Sequence, residues 1–126
     1  MKKILHYMGL ASLLLLLTMP LAEAADSNIG TMAGIVMQLN HYPSAGEQKQ
    51  LAAIAGNATS TAGEKVLANA LMRMRHHVSA DDAVLLRRLD NGATASSQEK
   101  ELAEIVLGIM HHASSADKKR LKTLLD

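Results

Sequence analysis

Apolar side chains return along this chain at steps of three, four and seven. Met32, Ile35, Val36 and Leu39 make one such set, Leu67, Ala70, Leu71 and Met74 a second, and Leu102, Ile105, Val106 and Ile109 a third. That spacing draws a single stripe down an α-helix. Ala33 and Met37, Ala68 and Met72, and Ala103 and Leu107 add a second stripe to each. A helix apolar over so wide an arc must pack against neighbours on more than one side. Shorter segments between them carry a narrower apolar edge, formed by Leu51 and Ile54, Leu86 and Leu89, and Leu121 and Leu124. Their other faces hold Lys49, Arg87, Arg88, Lys118, Lys119 and Lys122, so these helices are expected outside, facing water.

Helix starts are marked by capping residues. Asp26, Thr61 and Ser96 precede the longer helices, and Glu64 and Glu99 follow the latter two at the third position of a capping box. Ser44, Ser79 and Ser114 precede the shorter ones, with Glu47, Asp82 and Asp117 in the same relation. A hydroxyl accepts from an orphan N–H there, and the acid faces the positive end of the helix dipole. Six starts predict six helices. Gly56 and Asn57, then Asn91 and Gly92, are residues that tolerate a left-handed helix end.

These signals recur on a fixed period. The segments NHYPSAGEQKQL from Asn40, RHHVSADDAVLL from Arg75 and MHHASSADKKRL from Met110 align without a gap, each 35 residues after the last. Tandem repetition of one supersecondary unit is the direct reading. The expected fold is all-α: three helical hairpins, approximately residues 26–60, 61–95 and 96–126, stacked as a short α-solenoid in one domain spanning residues 25–126. The period and layout resemble tetratricopeptide-type arrays in shape alone, since the Trp, Gly, Tyr and Pro pattern of that family is missing. The same pattern also fits a compact helical bundle.

Ahead of this domain, Lys2 and Lys3 precede an apolar run from Met8 to Met19, then Pro20 and the small residues Ala22 and Ala24. This is the plan of a secretory signal peptide over residues 1–24, too short in its apolar core to span a bilayer comfortably. The expected destination is the periplasm or the exterior, with no stable membrane anchor after cleavage. The formal net charge is +1, and loss of Lys2, Lys3 and Glu23 brings it to zero. A neutral chain has no general pull on nucleic acid. Cysteine is absent, which excludes disulfides and thiolate chemistry. Beyond the leader Tyr42 is the one aromatic residue, so the core must be built from Leu, Ile, Val, Met and Ala.

Chemistry concentrates at the end of each longer helix. His41, His76 and His111 share one repeat position, and Tyr42, His77 and His112 share the next. Placed in the last helical turn, such rings would face the negative end of the dipole and meet unpaired carbonyls. Imidazoles from stacked hairpins would also line one edge. On that edge His76, His77, His111, His112 and Met110 are the candidate metal ligands, with Met72, Met74, Asp81 and Asp82 nearby in sequence. Arg87, Arg88, Lys118, Lys119 and Lys122 are the candidate partner-binding residues. No catalytic motif or cofactor motif appears, and the serines near histidine are helix caps repeated in every unit. The reading is an exported helical-repeat protein, not an enzyme, that binds an unidentified protein or peptide, with transition-metal binding (copper, nickel or zinc) at the His and Met edge as the alternative.

Overall fold

A computed structural model describes residues 27–125. The expected leader at residues 1–24, its cleavage site and the capping role assigned to Asp26 lie outside the described residues. Among those described there are six helices and no strand: α1 (Asn28–Gln38), α2 (Ala45–Gly56), α3 (Ala62–Arg73), α4 (Ala80–Asp90), α5 (Ser97–Gly108) and α6 (Ser115–Lys122). None of these helices is long and apolar enough to cross a membrane.

The caps explain the boundaries. Thr61, Ser96, Ser44 and Ser114 each close a capping box with Glu64, Glu99, Glu47 and Asp117. Ser79 caps α4 by accepting from the Asp82 amide, but Asp82 does not return a bond to the Ser79 amide. Its carboxylate is held instead by the Arg73 guanidinium and the Ser79 hydroxyl. The first helix is capped by Ser27, whose hydroxyl accepts from Gly30. Neither asparagine expected to end a helix left-handed does so: Asn57 is extended at φ −79° and Asn91 is right-handed at φ −87°.

The two apolar stripes decide how the units assemble. Helices α1, α3 and α5 pack on one another, each touching both of the others. Outside them α2 leans on α3, α4 on α5, and α6 returns onto α1. The helices therefore form a closed bundle with an approximate threefold repeat. This fits the compact-bundle alternative rather than the open stack, in which the first and third units would not meet. The reason lies in the sequence pattern: in an open array α1 and α5 would each leave one stripe in water, whereas closure brings both against the core. Ala33, Ala68 and Ala103 are wholly buried, and their small side chains let the three inner helices approach closely. Met32, Leu67, Leu71, Leu102 and Ile105 fill the space around them, and Leu51, Leu86 and Leu121 seat the outer helices.

Polar links stitch neighbouring units at the N-terminal end of the inner helices. Asn28 donates to Glu64 at 2.9 Å and to Ser60, and the Thr61 hydroxyl donates to the buried carboxylate of Glu99. Among the described residues a third such link does not form, because Ile29 stands where Glu64 and Glu99 stand in the other units. Gly63 leaves room for Glu99, since a Cβ there would lie 2.7 Å from the carboxylate carbon.

Candidate metal centre

At the opposite end of the inner helices, the chain leaves each helix in the same way. Leu39, Met74 and Ile109 adopt extended backbone angles and bury their side chains, which pulls the chain out of the helical path. The next residue, Asn40, Arg75 or Met110, is exposed. Then come His41, His76 and His111 at φ 70°, 61° and 69°. In each case the amide of the following residue donates to the carbonyl of the preceding one: Tyr42 to Asn40, His77 to Arg75, His112 to Met110. A positive-φ residue spanned by such a bond is the centre of a classic γ-turn, a rare and strained conformation. After it, Pro43, Val78 and Ala113 turn back into the protein and the second helix begins.

The histidines are therefore not in the last turn of a helix, as the sequence suggested, but three residues beyond it. Their backbones form a ring. The His41 amide donates to the His111 carbonyl at 2.8 Å, His76 to His41 at 2.8 Å, and His111 to His76 at 2.6 Å. Each unit thus donates to one neighbour and accepts from the other. Only a closed threefold arrangement satisfies all three bonds.

The side chains standing on this ring converge. Nδ1 of His41 lies 2.9 Å from Nδ1 of His76 and 3.2 Å from Nδ1 of His111, and the last two are 3.0 Å apart. The ring planes meet at 74–79°, like the blades of a propeller. His76 and His111 are exposed and His41 partly so. Neutral imidazole carries one proton on one of its two nitrogens. Three Nδ1 atoms in mutual contact cannot satisfy one another, because each is either donor or acceptor and at least one pair must match like with like. Loss of hydration, then repulsion from His41, His111 and His77, holds His76 below the usual imidazole range.

The structure brings His76 and His111 of the predicted ligand set together and adds His41, which the sequence reading had not placed with them. His77 and His112 are exposed but belong to the following repeat position, outside the converging cluster. Met110 is exposed beside His111, while its counterparts Asn40 and Arg75 carry no thioether, so the threefold set is imidazole alone. Arg75 instead donates to the Met74 carbonyl and sits 5.8 Å from the centre of the Tyr42 ring. Met74 is wholly buried and Met72 packs against the core, so both serve as filling. Asp82 is buried, and the Arg73 guanidinium, helped by Ser79, holds its carboxyl below the ordinary range. The predicted partner residues Arg87 and Arg88 on α4, and Lys118, Lys119 and Lys122 on α6, are exposed. Arg120 between them is tied to Glu101 and Glu104.

One signal for His41 was present in the sequence: histidine fills that repeat position in all three units, while its neighbour varies between Tyr and His. It becomes a ligand pattern only once the array is closed. Comparison of the chain with protein-family models, with curated proteins and with solved structures gave no match in any of the three.

Proposed function

We propose that this protein binds one divalent transition-metal ion, of the Zn(II), Ni(II) or Cu(II) class, through Nδ1 of His41, His76 and His111. The observation that carries this reading is the convergence of the three nitrogens to 2.9–3.2 Å. A metal–nitrogen bond of about 2.0–2.1 Å would set an ion about 1 Å off the plane of such a triangle, with N–M–N angles of about 95°. That angle suits three facial positions of an octahedron, and opening the triangle by about 0.3 Å would suit a tetrahedron. With each Nδ1 unprotonated, three donor atoms crowd within about 3 Å of one another, and a cation bound by all three removes the contact between like groups. The three strained turns support the same reading. Positive φ in a residue other than glycine costs on the order of 1–3 kcal/mol, and here it recurs wherever an imidazole reaches the axis.

Binding to a protein or peptide was the first expectation from sequence, and it rested on the extended surface that an open stack of hairpins offers. Closure removes that surface, so metal binding takes precedence. The test is calorimetric titration of chelator-treated protein with Zn(II), Ni(II) and Cu(II). Binding of one ion per chain is expected, weakened at least tenfold in His76→Asn and His76→Gly, both of which accept positive φ. His77→Asn and His112→Asn should bind as the parent does. Equal affinity in the parent and the His76 variants, with circular dichroism showing all of them folded, would overturn the proposal.

A further inference from the structure

The three histidines approach the axis from one side. Their backbones are locked in a ring by the mutual amide bonds of 2.6–2.8 Å, and beneath that ring lie the buried ends of the inner helices at Leu39, Met74 and Ile109. The core thus backs the ring on the side of the inner helices. The residues flanking the histidines, Asn40, Arg75, Met110, Tyr42, His77 and His112, are all exposed. Among the described residues, no Asp, Glu or fourth His joins the cluster of convergent donors. Of the carboxylates close to these turns in sequence, Glu47 and Asp117 are engaged in their capping boxes and Asp82 with Arg73 and Ser79.

We infer that the metal held by this triad keeps an open, solvent-facing coordination position, and that the site takes a small monodentate anion there in exchange for water. This rests on the metal-binding reading above. A closed structural site surrounds its ion with four protein ligands, whereas three ligands plus an open position is the arrangement that leaves water on the metal and lowers its pKa. The facial geometry imposed by nitrogen spacings near 3 Å keeps all three protein ligands on one side of the ion and the remaining positions together on the other. The exchange is a simple substitution: bound water leaves with its electron pair, and the anion supplies a pair in its place. In the absence of an added anion, the same water releases a proton to bulk solvent and remains as hydroxide. The ligand class is therefore hydroxide, azide, formate or a similar small anion.

Cobalt(II) supplies the probe, because its visible absorption reports coordination number and ligand type. The full chain is loaded with Co(II), its stoichiometry is measured, and sodium azide is then titrated at fixed pH and ionic strength. The expected result is a saturable, one-site change in the visible bands, with a separate spectral change as pH is raised in the absence of azide. Bands unmoved by azide and by pH, with one Co(II) bound per chain, would overturn the open site while leaving metal binding intact. Failure of Co(II) to bind at all would overturn both readings. Met110→Leu is the second arm: should azide act only in that variant, the Met110 thioether closes the site in the parent, and the open position is refuted. An equal response in parent and variant supports it.

Discussion

At the scale of single residues, the histidine column combines two features that stability alone would not select together. A positive-φ turn favours glycine, and lost hydration with repulsion from the neighbouring imidazoles holds His76 toward its neutral form. For His76 the consequence has a definite sign. Its folded pKa lies below its value of 6.5 in an unfolded chain, so protons bind the unfolded form more readily. The stabilising contribution is then fully present above about pH 6.5 and is lost as pH falls through the folded pKa. In metal-free protein, thermal midpoints measured between pH 7.5 and 5 should decline, and the decline should be shallower in His76→Asn. An identical slope in both would show that the triad is not the source. Protons and metal compete for the same nitrogens, so metal affinity should weaken over the same interval.

At the scale of elements, the N-caps divide into those that serve one helix and those that bind two units. Ser44 bonds only within the first turn of α2, accepting from Glu47 and receiving the Glu47 carboxylate at its own amide. Thr61 caps α3 and also donates to Glu99 of α5. Loss of a cap costs about 0.5–2 kcal/mol, and depriving a buried carboxylate of a donor adds about 1–3 kcal/mol. Thr61→Ala should therefore destabilise the fold more than Ser44→Ala, by a margin of about 1 kcal/mol or more, as measured by urea unfolding. Thr61→Ser should recover most of the difference. These caps were legible in the sequence because hydroxyl and acid sit at fixed spacing along one segment. The link from Thr61 to Glu99 was not, because it joins residues 38 apart whose proximity exists only after the units have packed.

At the scale of the whole molecule, closure makes the ends neighbours. Helix α6 packs on α1, and a Cβ on Gly30 would lie 3.4 Å from the Leu124 carbonyl oxygen. A circular permutant that begins at Thr61, with a short Gly-Ser linker joining residue 125 to residue 27, should keep the parent's helical circular dichroism and its His triad. Loss of helicity in that permutant would argue that the first and third units do not meet as described. Closure also sets cooperativity. Each inner helix buries surface against both of the others, so no unit is a terminal one that can peel away, in contrast to a linear repeat array.

What the sequence determined by itself is local or periodic: the helices, most of their starts, the apolar stripes, the exposed faces of the outer helices and the 35-residue repeat. Hydrogen bonding within one turn and a period of 3.6 residues need only neighbouring positions to be specified. Three things were decided by tertiary structure. The array closed rather than stacked, because two apolar stripes on the first and last inner helices cannot both be buried in an open row. The helices ended before the histidines, because Leu39, Met74 and Ile109 gain more from the core than from another helical turn. His41 joined His76 and His111, because a threefold axis makes one repeat position a point of convergence, and no axis is written in a single unit.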